Sequence, residues 1–251
     1  MNPGPWRARR AFTLIELLIV MGIIAILMVL VAPAFTTLKS AGDVTSAAYT
    51  IKGVLDTART YAMANNTYTW VGFFEEDVST TSTNPATTGT GRIVMSVVAS
   101  KDGTIIYDPT LSNPGKITTT RLIQVGKLTK IDNAHFWTHT DTPSGTGSTF
   151  DTRPNVISTY CIGGTSPPNS TTPFQYPVGN PEPAAQYTFV KAVQFSALGE
   201  ARIDNSTDYT LQTAAEIGLR ATHGSTVDTI SPNVVAIQFT GVGGNVIIYR
   251  R

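Results

Sequence analysis

The chain has 251 residues, with 18 Lys+Arg against 17 Asp+Glu, and charged residues make up only 14% of it, well below the roughly 25% of an average soluble domain. Near-neutral balance argues against a protein whose main task is to coat nucleic acid, and 41% hydrophobic content excludes wholesale disorder. One cysteine, Cys161, cannot close an intrachain disulfide, so an apolar core must hold the fold.

The first predicted element starts near the N-terminus. Leu17 to Ala32 contains no polar side chain, Phe12 to Ile15 extend the run upstream, and Glu16 is the one charge within it. A bilayer core of about 30 Å needs about 20 helical residues, and Phe12 to Ala32 supplies 21 positions. This predicts a transmembrane helix over residues 12–33. Arg7, Arg9 and Arg10 precede it, whereas Lys39 and Asp43 follow, so the positive-inside bias places residues 1–11 in the cytoplasm and exports the rest. The plainer reading is a secretory signal peptide cut near Ala32 and Ala34. The apolar run exceeds the usual h-region of about 7–15 residues, and a carboxylate at mid-membrane costs about 2.5–3.5 kcal/mol. Glu16 therefore needs a compensating partner.

Pro33 removes a helical hydrogen bond and predicts a kink. Beyond it Phe35, Leu38, Val44, Ala47, Ala48, Ile51, Val54, Leu55, Ala58, Tyr61 and Ala62 recur at three- and four-residue steps, with Lys52, Asp56 and Arg59 on the other face. Residues 34–66 are thus predicted as the amphipathic half of one helix from Phe12 to Ala64, about 80 Å long at the helical rise. Residues 67–251 are predicted as a β-rich head. Thr67 to Phe74, Arg92 to Val98, Gly103 to Tyr107, Arg121 to Val125, Tyr187 to Phe195, Glu216 to Thr222, Val234 to Thr240 and Asn245 to Arg250 carry the β-branched and aromatic residues of strands. Turns at Lys101-Asp102-Gly103, Leu198-Gly199-Glu200 and Val242-Gly243-Gly244-Asn245 favour antiparallel pairing. Ser79 to Gly91, Thr138 to Arg153 and Gly163 to Pro183 are rich in Thr, Ser, Gly and Pro and read as exposed loops. The expected class is α+β: a long N-terminal helix packed on one antiparallel sheet.

Arg9-Arg10-Ala11-Phe12-Thr13-Leu14-Ile15-Glu16-Leu17-Leu18 resembles the N-terminal signal of type IV pilins and type II secretion pseudopilins. The resemblance implies a prepilin peptidase as partner, cleavage between Ala11 and Phe12, and N-methylation of Phe12. The usual residue before the cut is Gly, and this chain has Ala11. The resemblance also implies that Glu16 pairs with the terminal amine of a neighbouring subunit. Removing residues 1–11 takes three arginines from 18 basic residues, leaving 15 against 17 acidic ones and a net charge of −2. Ala58 to Asn66, Val193 to Gly199 and Gly243 to Tyr249 are similar to H-type minor pseudopilins and related minor pilins, and Ala62 to Glu76 is similar to the Verru_Chthon cassette protein D group.

Candidate chemistry in the head is sparse. His135, His139 and Asp141, spaced along His135 to Asp141, are the best metal candidates, yet no zinc-like spacing supports them, and no metal or cofactor is expected. Cys161 reads as a small buried hydrophobe. Gly89, Gly91, Gly145 and Gly147 read as turn residues, since no Lys-Ser or Lys-Thr pair follows them. No catalytic triad or nucleophile elbow appears, and neither an enzyme nor a small-molecule substrate is expected. Arg202, Arg220, Arg250 and Arg251 offer at most a small basic patch, so DNA is a disfavoured partner. The expected function is a minor pilin or pseudopilin subunit in the inner membrane, with its head in the periplasm, or in a filament at the cell surface after assembly. Its expected partners are lipid and other pilin-like subunits. The alternative is a membrane-tethered binding module for surface, polysaccharide or DNA that does not polymerise.

Overall fold

The computed structural model describes residues 13–103, 119–163, 173–179, 184–203 and 211–251, with the backbone alone over residues 30–41. The chain divides into two compact units, Met1–Lys39 and Ser40–Arg251. One helix, α1 (Leu14–Ala64), contributes to both.

Within the first unit, Thr13 starts the helix and every residue from Thr13 to Val29 is exposed. The helix passes through position 33 without a break. The Pro33 side chain, Phe35 and Leu38 lie outside the described side chains.

In the second unit α1 buries Val44, Ala47, Ala48, Ile51, Leu55, Ala58 and Ala62, a stripe at the helical period that faces the core. It ends where the two asparagines predict. Asn66 adopts a left-handed conformation, φ 48°, and the Thr67 amide donates to the Ala62 carbonyl at 3.0 Å. This closes the last turn in the manner of a Schellman motif, with Asn in the glycine position. Lys52 and Arg59, expected on the solvent face, flank the buried stripe instead. The Lys52 ammonium donates to the Val246 carbonyl at 2.7 Å and Arg59 Nε to the Gly199 carbonyl at 3.3 Å. Their long stems span the helix edge and tie it to two turns of the head.

The head is two sheets, not the single sheet expected. The first contains β1 (Thr69–Asp77), β2 (Gly91–Ser100), β3 (Leu122–Gln124) and β4 (Thr129–Asp132). The second contains β5 (Ala134–Phe136) and β6 (Cys161–Ile162), while β7 (Phe174–Tyr176) and β8 (Tyr187–Phe189) form a separate ribbon. β9 (Lys191–Phe195) and β10 (Ala201–Ile203) return to the first sheet, in the order β10-β9-β1-β2-β3 with β4 also beside β2. β11 (Ala215–His223), β12 (Thr226–Val227), β13 (Val234–Phe239) and β14 (Val246–Arg250) complete the second, in the order β12-β11-β13-β14, with β5 and β6 also along β11. All described pairings are antiparallel except β6 with β11. The β9–β10 and β13–β14 hairpins turn where Leu198-Gly199 and Gly243-Gly244 predict. The predicted strand Gly103 to Tyr107 lies almost wholly outside the described residues.

Both sheets send alternate residues to the helix. Val71, Phe73, Ile93, Met95 and Val193 from one, and Ile217, Leu219, Val235 and Ile237 from the other, form one core with Ile51 and Leu55. The period of two leaves each sheet a second apolar face, and segments expected as loops cover both. The predicted strand Tyr187 to Phe195 breaks at Val190: β8 pairs with β7 over the first sheet, where Phe174 and Phe189 cover Trp70, Val94 and Val98. Gly163 to Pro183 is therefore not simply an exposed loop, because Phe174 within it is fully buried. Likewise Phe150, inside the expected loop Thr138 to Arg153, packs with Val234, Ala236 and Tyr249 on the second sheet.

Candidate functional site

Two places carry polar groups in organised arrangements: the start of α1 and the outer face of the second sheet. At the helix start, the Thr13 amide and hydroxyl both donate to Glu16 Oε2 at 2.9 Å, and the Glu16 amide donates to Thr13 Oγ1 at 3.3 Å. This reciprocal pair is a capping box, which satisfies backbone donors that the first turn would otherwise leave open. The Thr-x-x-Glu spacing announces it in the sequence, although reading Glu16 for charge alone passes over it. Glu16 Oε1 meets no partner among the described residues. From there to Val29 the side chains, apart from Glu16, are apolar and exposed on every side of the helix, a surface that water does not stabilise and that lipid or packed helices would cover. Among the described residues no helix is long and apolar enough to cross a membrane, and the described side chains of this run stop at Val29. Ala11 and Phe12 lie outside the described residues.

On the second sheet the three metal candidates part company. His135 Nδ1 meets Glu75 Oε1 on β1 at 2.6 Å, His139 Nε2 donates to the Val235 carbonyl at 3.1 Å, and Asp141 pairs with Arg153 at 2.7 and 2.9 Å. They do not converge, because β5 ends at Phe136 and the chain then crosses over the sheet. Gly218 permits that crossing: the Trp137 amide donates to the Gly218 carbonyl at 2.9 Å, and a Cβ at 218 would collide with the Trp137 carbonyl. Burial pushes the His139 imidazole below its ordinary pKa, so it is neutral at pH 7. Among the described residues no cluster of His, Cys, Asp and Glu is arranged to hold a metal.

Sequence reading missed the central group of this face, Arg153. It is almost fully buried; Nε donates to Glu216 Oε2 at 2.8 Å, its other nitrogens reach Asp141 and the Phe150 carbonyl, and it lies 4.1 Å over the Phe150 ring. Burial opposes its charge, yet the bonds it donates to Asp141 and Glu216 prevail and raise its pKa above the ordinary value. The same Arg153 contact holds the Asp141 carboxyl below the usual carboxylate range. Nothing in a Thr- and Gly-rich stretch signals such a clamp. Its faint trace is Glu216 and Gln238 at positions where a two-sided strand would be apolar.

The arginines expected as a basic patch only partly gather: Arg220 and Arg251 line one cleft on the second sheet, whereas Arg202 belongs to the first sheet. Arg202 lies buried on β10 of the first sheet beside Gln194, Arg220 lies on β11 of the second, and Arg251 meets Asp151 at 2.6 Å. Cys161 is buried, with its thiol pushed by burial up to about 12, and is unsuited to nucleophilic work.

Comparison with family models matches residues 6–32 to the prokaryotic N-terminal methylation motif. The N-terminus is a type IV pilin-like signal, of the kind that a prepilin peptidase cleaves. The helix-plus-antiparallel-sheet fold is consistent with that class. Comparison with curated proteins and with solved structures returned no match.

Proposed function

We propose that this chain is a minor pilin or pseudopilin of a type IV pilus or a type II secretion-like filament, held in the inner membrane until it polymerises through its N-terminal helix. The observation that carries this reading is the methylation motif at residues 6–32, leading into a helix whose residues 14–29 are apolar and exposed apart from Glu16. Cleavage falls between Ala11 and Phe12, and Phe12 becomes the methylated terminus. Residues 12–33 form the membrane and assembly segment, with Pro33 bending it, and the amphipathic half from residue 34 carries the head on the periplasmic side. Transfer from lipid to a filament core exchanges acyl chains for neighbouring helices.

In this scheme Glu16 has two successive partners. Thr13 satisfies Oε2 within the free subunit, and the open Oε1 is the atom that meets the Phe12 amine of an adjacent subunit. A carboxylate in hydrocarbon is tolerable when a cation compensates it. Replacing Glu16 by Ala tests the role. Membrane fractions should still contain the variant while sheared filaments lose it, and normal recruitment would refute the assignment.

A further inference from the structure

A cleft of about 310 Å³ opens on the outer face of the second sheet, lined by Trp137, Thr140, Arg220, Thr229, Ser231 and Arg251 among others. Its volume suits one sugar-sized ligand, at the small end of the about 300–1,000 Å³ of ligand pockets. At one wall Arg220 stacks on the Trp137 ring, with its guanidinium carbon 4.8 Å from the centroid. Nη1 donates to the Asp228 carbonyl at 3.1 Å, and Nε is buried without any partner. No carboxylate pairs with Arg220 among the described residues. The nearby acids are already engaged: Asp141 by Arg153, Asp151 by Arg251, and Asp228 Oδ1 by the amides of Ile230 and Ser231. A half-buried guanidinium held in place by an indole but left without a counter-ion stabilises an incoming anion more than it stabilises the fold. The surrounding Thr and Ser hydroxyls and aromatic edges match a ligand with hydroxyl groups and C–H faces.

We propose that this cleft binds an acidic sugar of the hexuronate class, its carboxylate on Arg220 and its hydroxyls toward Thr140, Thr229 and Ser231. The site is independent of polymerisation through α1 and adds a surface-recognition role to the exported head.

The test titrates the full chain in detergent micelles with galacturonate, glucuronate, glucose and succinate, following the Trp137 indole by ¹⁵N NMR and the heat by calorimetry. Both hexuronates should shift the Trp137 signal and bind at least about tenfold more tightly than glucose or succinate. Arg220→Gln should weaken hexuronate binding by about tenfold or more. Ile230→Glu, at the fully exposed rim, adds a repelling charge without touching the fold and should weaken it in the same direction. Leu198→Ala, on the β9–β10 turn, should leave binding unchanged. Equal binding of glucose and hexuronate, equal binding of succinate, or hexuronate affinity unaltered in both Arg220→Gln and Ile230→Glu would overturn the proposal.

Discussion

Residues 14–29 and residues 44–62 belong to the same helix and are both rich in apolar side chains, but they behave oppositely. In the first stretch Leu14, Ile15, Leu18, Met21 and Met28 are among many large side chains left exposed, around the whole circumference; in the second Val44, Ile51 and Leu55 are fully covered, along one stripe. The second stretch is stabilised by its own head. The first has nothing within the described residues to pack against, so its apolar surface is suited to another phase, lipid or neighbouring subunits. The difference follows from pattern: one stretch places apolar residues at every position but Glu16, the other only at the helical period.

Core truncations should sharpen that contrast most. Leu55→Ala should destabilise the head by about 2–5 kcal/mol in chemical denaturation, whereas Leu18→Ala should leave head stability within about 0.5 kcal/mol of the parent. Equal losses would break the distinction between the two stretches. Arg153→Met comes close behind, because it strands the buried Glu216 carboxylate and releases the strap over the second sheet. A loss of about 3–5 kcal/mol is expected, and adding Glu216→Gln should recover part of it.

Acid should act on the head through the same strap. Arg153 lowers the Asp141 pKa in the folded state, so that contribution is present above the ordinary carboxylate range and is lost as pH falls through the depressed value. His139 works in the same direction: its folded pKa lies below the unfolded one, so protonation below about pH 6.5 favours unfolding. Urea midpoints measured from pH 7 down to pH 3 should fall steadily, and Asp141→Asn should flatten the lower part of the curve. The smallest effect concerns the cap. Thr13→Val removes the hydroxyl but keeps the amide, and should fray the first turn by about 1 kcal/mol, visible as faster amide exchange at residues 14–17 with the head unchanged.

Much of the fold was legible in the sequence for physical reasons that can be named. The long helix follows from a continuous apolar run leading into a helical period, its end from the paired asparagines, and the β9–β10 and β13–β14 hairpins from their glycines. The pairing of two sheets on one helix was not legible. Strands buried on both faces, such as β2 and β13, read as apolar runs interrupted only by single polar residues such as Ser96 and Gln238, and do not say what covers each side. The covers themselves hid in composition, since Phe174 and Phe150 are isolated aromatics in Thr- and Pro-rich stretches. At the helix start, the charge of Glu16 is evident in the sequence, whereas its bond to Thr13 shows only in the Thr-x-x-Glu spacing. Charge alone groups Arg220 with Arg202, but the sheet order puts them in different sheets.

The proposed role requires that residues 12–33 remain on the mature protein as an assembly helix. Mass spectrometry of the N-terminus of membrane-extracted protein tests it directly. An N-methylated Phe12 is expected as the first residue; a mature chain beginning near Ala34 would contradict the assignment.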